Sequence, residues 1–213
     1  MPPDAHADAM SETLTPQEAV RALTKAQSWE ASLLSRTAGL TWMVWGIATP
    51  ATFLTYAFVA VLGDLQGFDV PWWVWNLLWV PWVAMGVATT VSLWRSAALA
   101  VPDLDSPRDR RHAMVGGIVS SLLMFGAFLL LQPPSAVLPL GAIGAMWALM
   151  AIANVWRADR HSRVVGVVVG VTLIASAALM ALLRLGVEAS GILSIVVAGV
   201  VPFAAGLWHL ARA

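Results

Sequence analysis

Long apolar stretches separated by short polar joints dominate the chain. They run over about 38–63, 71–94, 113–132, 135–156, 164–184 and 189–211. Each is near or above the ~20 residues a helix needs to cross a ~30 Å hydrocarbon core. The joints carry turn residues and charge. Gly63-Asp64 through Asp69-Val70-Pro71 closes the first hairpin, and residues 95–112 form the longest connection, with Pro102 and Pro107. Gln132-Pro133-Pro134-Ser135 reads as a tight turn, Arg157 to Arg163 as a charged loop, and Arg184 to Ser190 as the last turn. The pattern predicts an all-α, polytopic membrane protein: six transmembrane helices in a compact bundle spanning residues 36–213.

Ahead of the first stretch the pattern changes. Residues 1–14 are polar and acidic, which predicts a disordered tail. They lack the basic start and apolar run of a signal peptide, so the first span is expected to act as an uncleaved signal-anchor. Residues 15–35 read as a helix. Thr15-Pro16-Gln17-Glu18 has the form of a capping box with proline in the first turn. Val20, Leu23, Ala26 and Trp29 fall near one face, with Glu18, Arg21 and Lys25 off it. That predicts an amphipathic cytoplasmic or interfacial helix, anchored at the membrane surface by Trp29.

Composition sharpens the class. The 213 residues are 59% hydrophobic and 11% charged, against about 25% charged in soluble domains. Mean hydropathy is +0.77. A soluble chain this apolar would expose aggregating patches, so the sequence argues against a cytosolic enzyme and a disordered chain. Twelve basic residues balance twelve acidic ones, which leaves no surplus for nucleic acid. There is no cysteine, hence no disulfide, thiolate ligand or thiol nucleophile.

The basic residues also orient the chain. With six spans, Arg21, Lys25, Arg36, Arg95, Arg108, Arg110, Arg111, Arg157, Arg160, Arg163 and Arg212 share one side and Arg184 stands alone on the other. By the positive-inside rule both termini are expected in the cytoplasm, with the protein in the cell membrane.

Candidate chemistry is sparse. No Asp, Glu, Lys, Arg or His falls within the hydrocarbon zone of the predicted spans, which argues against a proton-coupled carrier, a pump or a voltage sensor. No nucleophile elbow, zinc-protease helix or phosphate loop occurs, so neither enzymatic activity nor a cofactor or metal is expected. What remains polar falls on faces. Thr41, Trp45, Thr49, Thr52 and Tyr56 share one side of span 1 around Pro50. Trp72, Trp75, Trp79 and Trp82 share one side of span 2, bordered by Asn76. Each face reads as bundle packing or as the wall of a path or groove for an apolar or lipid-like ligand. Small residues line later spans: Gly116 and Ser120; Gly141, Gly144, Ala148 and Ala151; Gly166 and Gly170; Gly191, Ser194, Ala198, Pro202 and Ala205, with His209 continuing the line. They predict close helix approach within the monomer, with a homo-oligomer or membrane partner as the alternative. Arg108, Arg110, Arg111 and His112 in the inner loop suit lipid headgroups or a cytoplasmic partner.

An inner amphipathic helix followed by six spans resembles the permease subunits of ABC-2-type exporters in layout. The resemblance implies a transport subunit worked by a separate cytoplasmic ATPase. The chain departs from that layout between spans five and six, where no outer re-entrant segment is evident. The sequence therefore supports two expectations: an accessory or scaffolding protein acting by helix packing, or an exporter subunit for an apolar or lipid-like substrate.

Overall fold

A computed structural model describes residues 15–67, 69–101, 137–152 and 160–213. The described residues fold into α1 (Pro16–Gln66), α2 (Trp72–Leu77), α3 (Val80–Ala100), α4 (Val137–Ile152), α5 (Arg160–Leu182) and α6 (Val187–Ala211). Four of these, α1, α3, α5 and α6, are long and apolar enough to cross a membrane, and α4 contributes a shorter apolar helix over Leu140–Ile152. The chain is a multi-pass membrane protein by helix length and composition. The predicted third span, 113–132, lies outside the described residues, as do the polar tail 1–14 and the inner-loop residues Arg108, Arg110, Arg111 and His112.

Two boundaries differ from the sequence reading. The amphipathic segment and the first span are one α-helix of 51 residues, about 76 Å long at 1.5 Å per residue. Residues 31–38 contain neither glycine nor proline, so nothing interrupts the hydrogen-bond ladder where the apolar stretch begins. Its start is fixed by the capping box: Glu18 N–H donates to Thr15 Oγ1 at 3.3 Å, and Thr15 N–H donates to Glu18 Oε2 at 2.9 Å. Its end is fixed by Gly67, whose φ of 65° is the left-handed cap that glycine adopts without strain.

The predicted second span is split. α2 stops at Leu77 and α3 starts at Val80, with Pro81 in its first turn. Proline has no N–H to donate to Leu77, and so it starts a helix more readily than it continues one. α3 then runs to Ala100, six residues past the expected end at 94.

Helix directions follow from the contacts. A Cβ built on Gly39 would lie 2.9 Å from Gly206 O, and one on Gly46 would lie 3.1 Å from Gly199 O. Rising numbers on α1 meet falling numbers on α6, so the pair is antiparallel. α4 and α5 are antiparallel likewise: Gly144 meets Gly170, and Ala151 meets Gly166. The short turn at 183–186 returns α5 into α6, and α3 descends beside α1, with Trp82 against Thr55 and Gly86 against Trp45. The core sits where these pairs meet, around Leu140, Leu173, Ala198, Trp42 and Trp147.

Candidate functional site: the packed interior

Residues of the predicted span 1 face are buried or half-buried, and its hydroxyls turn back onto their own helix. Thr41 Oγ1 donates to Thr37 O and Thr52 Oγ1 to Ala48 O, both at 2.9 Å. A hydroxyl bonded to the carbonyl four residues earlier has its donor occupied. Thr49 is also buried, and Trp45 and Tyr56 are half-buried.

Pro50 removes the donor that Gly46 O would otherwise receive. That carbonyl faces Gly199: a Cβ built there would lie 3.4 Å from Gly46 O and 3.2 Å from Pro50 Cγ. A bare α-carbon lets α6 come close enough to cover the proline step, a geometry compatible with weak Cα–H···O contacts. On α6 the predicted face is buried at Ser194, Ala198, Pro202, Ala205 and His209. Gly191 departs from it, since a Cβ there meets nothing within 4 Å.

The tryptophan face of span 2 is interrupted by the break at Leu78–Trp79. Of its members, Trp79 is buried, and Trp82 is half-buried and donates its indole N–H to Thr55 Oγ1 at 2.8 Å. Thr55 in turn donates to Ala51 O at 2.8 Å. Trp82 is thereby tied into a chain of bonds running onto the α1 backbone. The side chains of Trp72, Trp75 and Asn76 lie outside the description.

An aromatic cluster that the sequence reading did not assemble joins two helix pairs. Trp147 of α4 is 2% exposed. Its ring lies 4.7 Å from that of Trp42, tilted, and 5.5 Å from that of Trp45, edge-on. Tilted and edge-to-face geometries suit the aromatic quadrupole and add to the area buried. Trp42 and Trp45 are nearly one turn apart on α1, so both reach one partner. Trp147 neighbours the small-residue face at Ala148, and that adjacency was its signal in the sequence.

Comparison of the chain with protein-family models, with curated proteins and with solved structures finds no match. Functional argument therefore stands on the geometry alone.

At the end of the bundle that carries Arg212, side chains close α6 onto α1. Ser32 Oγ donates to Ala213 O at 2.6 Å and Ser35 Oγ to His209 O at 2.9 Å. Arg212 stacks its guanidinium 4.0 Å from the Trp208 ring centre, a cation–π contact of the kind found at membrane–water boundaries. Among the described residues no group of three or more metal-ligating side chains gathers.

Proposed function

We propose that this chain is a six-span, non-enzymatic scaffolding or accessory protein of the membrane, working through its helix faces. The observation that carries this reading is how the interior polar groups are used. Thr41, Thr52 and Thr55 bond backbone carbonyls of their own helix, Trp82 bonds Thr55, and Trp147 fills the space beside Trp42 and Trp45. Groups committed to one another offer a passing substrate little to bind.

Helix directions support the sixth crossing. α3 ends at the end of the bundle where α1 begins, and α4 begins at the opposite end. The chain between Val101 and Val137 has to bridge the two, and its apolar stretch 113–132 would cover about 30 Å as a helix. Both termini then share the side that holds eleven of the twelve basic residues, the cytoplasmic side.

The exporter-subunit reading predicts an open groove beside Trp79 and Trp82, and the burial of the first and the bond of the second weigh against it. Affinity purification of the full chain in mild detergent separates the two readings. The scaffold reading expects another membrane protein, or a second copy, at fixed stoichiometry. A co-purifying ATPase at fixed stoichiometry overturns it in favour of transport.

A further inference from the structure

Three buried polar atoms gather along the α1–α3 seam with no hydrogen-bond partner among the described residues: Trp45 Nε1, Thr90 Oγ1 and Trp94 Nε1. The Trp45 ring lies against Gly86, with ring carbons 3.2 Å from a Cβ built there. Gly86, Thr90 and Trp94 are spaced by four, so they share one face of α3. Thr90 differs from its relatives in the chain. Thr24, Thr37, Thr41, Thr52, Thr55 and Thr172 all donate to the carbonyl four residues earlier. A buried donor left without an acceptor costs about 1–3 kcal/mol, and lipid chains offer no remedy.

We infer that this seam is the docking face for the chain's own segment 113–132, with the Ser120 and Ser121 hydroxyls as acceptors. The inference rests on the six-span reading above. Register supports it. Trp45 follows Arg36 by nine residues, Gly86 precedes Arg95 by nine, and Ser120 follows Arg111 by nine. At 1.5 Å per residue each is about 14 Å from its arginine. With all three arginines at the inner rim, a helix through 113–132 would bring Ser120 level with the Trp45 indole. Chemistry agrees. Indole N–H only donates, so its partner needs a lone pair, and a serine hydroxyl supplies two. The segment starts 12 residues after Val101, close to the α3 terminus it would pack against.

The chain has no cysteine, so introduced pairs report without background. Thr90→Cys combined with Ser120→Cys or Ser121→Cys should form an intramolecular crosslink in native membranes. Ala88→Cys, on the exposed side of α3, should not. Preferential crosslinking from Ala88, a covalent dimer, or no crosslink from Thr90 overturns the docking face. A topology reporter at 134 is read in parallel: an inside signal there removes the six-span reading itself, whereas an outside signal without a crosslink removes only this inference. Should the cysteine pairs fold poorly, a double-mutant cycle on melting temperature decides. Trp45→Phe keeps the ring and deletes the N–H. If that N–H is bonded to a serine, the loss from Ser120→Ala/Ser121→Ala shrinks once Trp45→Phe is present, and strict additivity refutes the contact.

Discussion

Gly144 and Gly170 hold each other reciprocally. A Cβ on Gly144 would lie 2.7 Å from Gly170 O, and a Cβ on Gly170 would lie 2.6 Å from Gly144 O. Each glycine presents its bare α-carbon to the other's carbonyl. Gly39 and Gly206 repeat the arrangement between α1 and α6, at 2.9 and 2.7 Å. In lipid there is little hydrophobic drive between helices, and this closeness gives van der Waals contact in its place.

Gly170→Ala should therefore be among the most damaging single-methyl additions. Its Cβ would come within 2.6 Å of two backbone atoms, Ala148 N and Gly144 O, which have no rotamer by which to yield. A loss of about 1–3 kcal/mol, typical of overpacking, is expected in detergent melts. Gly191→Ala meets open space and should be neutral or slightly stabilising. Equal melting of the two variants would refute the close seam.

Trp79→Ala/Trp82→Ala should melt early whether or not lipid is added, with about 3–5 kcal/mol lost at each well-packed ring. Trp82→Phe isolates the bond to Thr55 and should cost about 1 kcal/mol. That cost should vanish in a Thr55→Val background. An unchanged melting temperature in the double alanine variant would promote the groove reading.

Arg184 is the described non-glycine residue with a positive φ, 50°. It closes α5: Leu185 N–H donates to Met180 O at 3.2 Å and Arg184 N–H to Ala181 O at 3.1 Å. A left-handed closing residue is usually glycine, since a Cβ costs about 1–2 kcal/mol there. Arg184→Gly should raise the melting temperature, and a drop would show that the arginine makes a compensating contact.

Glu18 should make the start of α1 sensitive to acid. Its carboxyl is held below the ordinary value of 4.5, chiefly by the Thr15 side chain and then by the Thr15 backbone N–H. A carboxylate lowered on folding adds stability above its unfolded value and loses it as pH falls through the folded one. Amide exchange in the first turn should quicken below about pH 4. Glu18→Gln, which keeps a capping acceptor, should show no such step.

Reporter fusions at 67, 103, 134, 160 and 187 should read outside, inside, outside, inside, outside. An inside signal at 67 would reverse the hairpin built by α1 and α3.

The spans were legible because length and apolarity are local properties. The buried face of α6 and the small-residue faces of α4 and α5 were legible because helical spacing places such residues together. The break at Leu78–Trp79 was missed because Pro81 fits both the interior of a kinked helix and the start of a new one, and packing decides which. The Trp42–Trp45–Trp147 cluster was missed because it joins positions about a hundred residues apart, and spacing along one helix carries no information about partners. The glycines of the α1–α6 seam had a subtler signal. Gly39 and Gly46, like Gly199 and Gly206, are seven apart, a repeat that becomes meaningful once the two helices are known to meet.

The unbroken α1 has a mechanical consequence. Val20 and Leu23, exposed near its start, and Gly39 and Gly46, seated in the α6 seam, are points on one stiff rod. A helix resists twisting and bending far more than a loop does. Whatever grips the first five turns of α1 holds a handle, and a tilt of that handle becomes leverage on the tightest contact in the bundle.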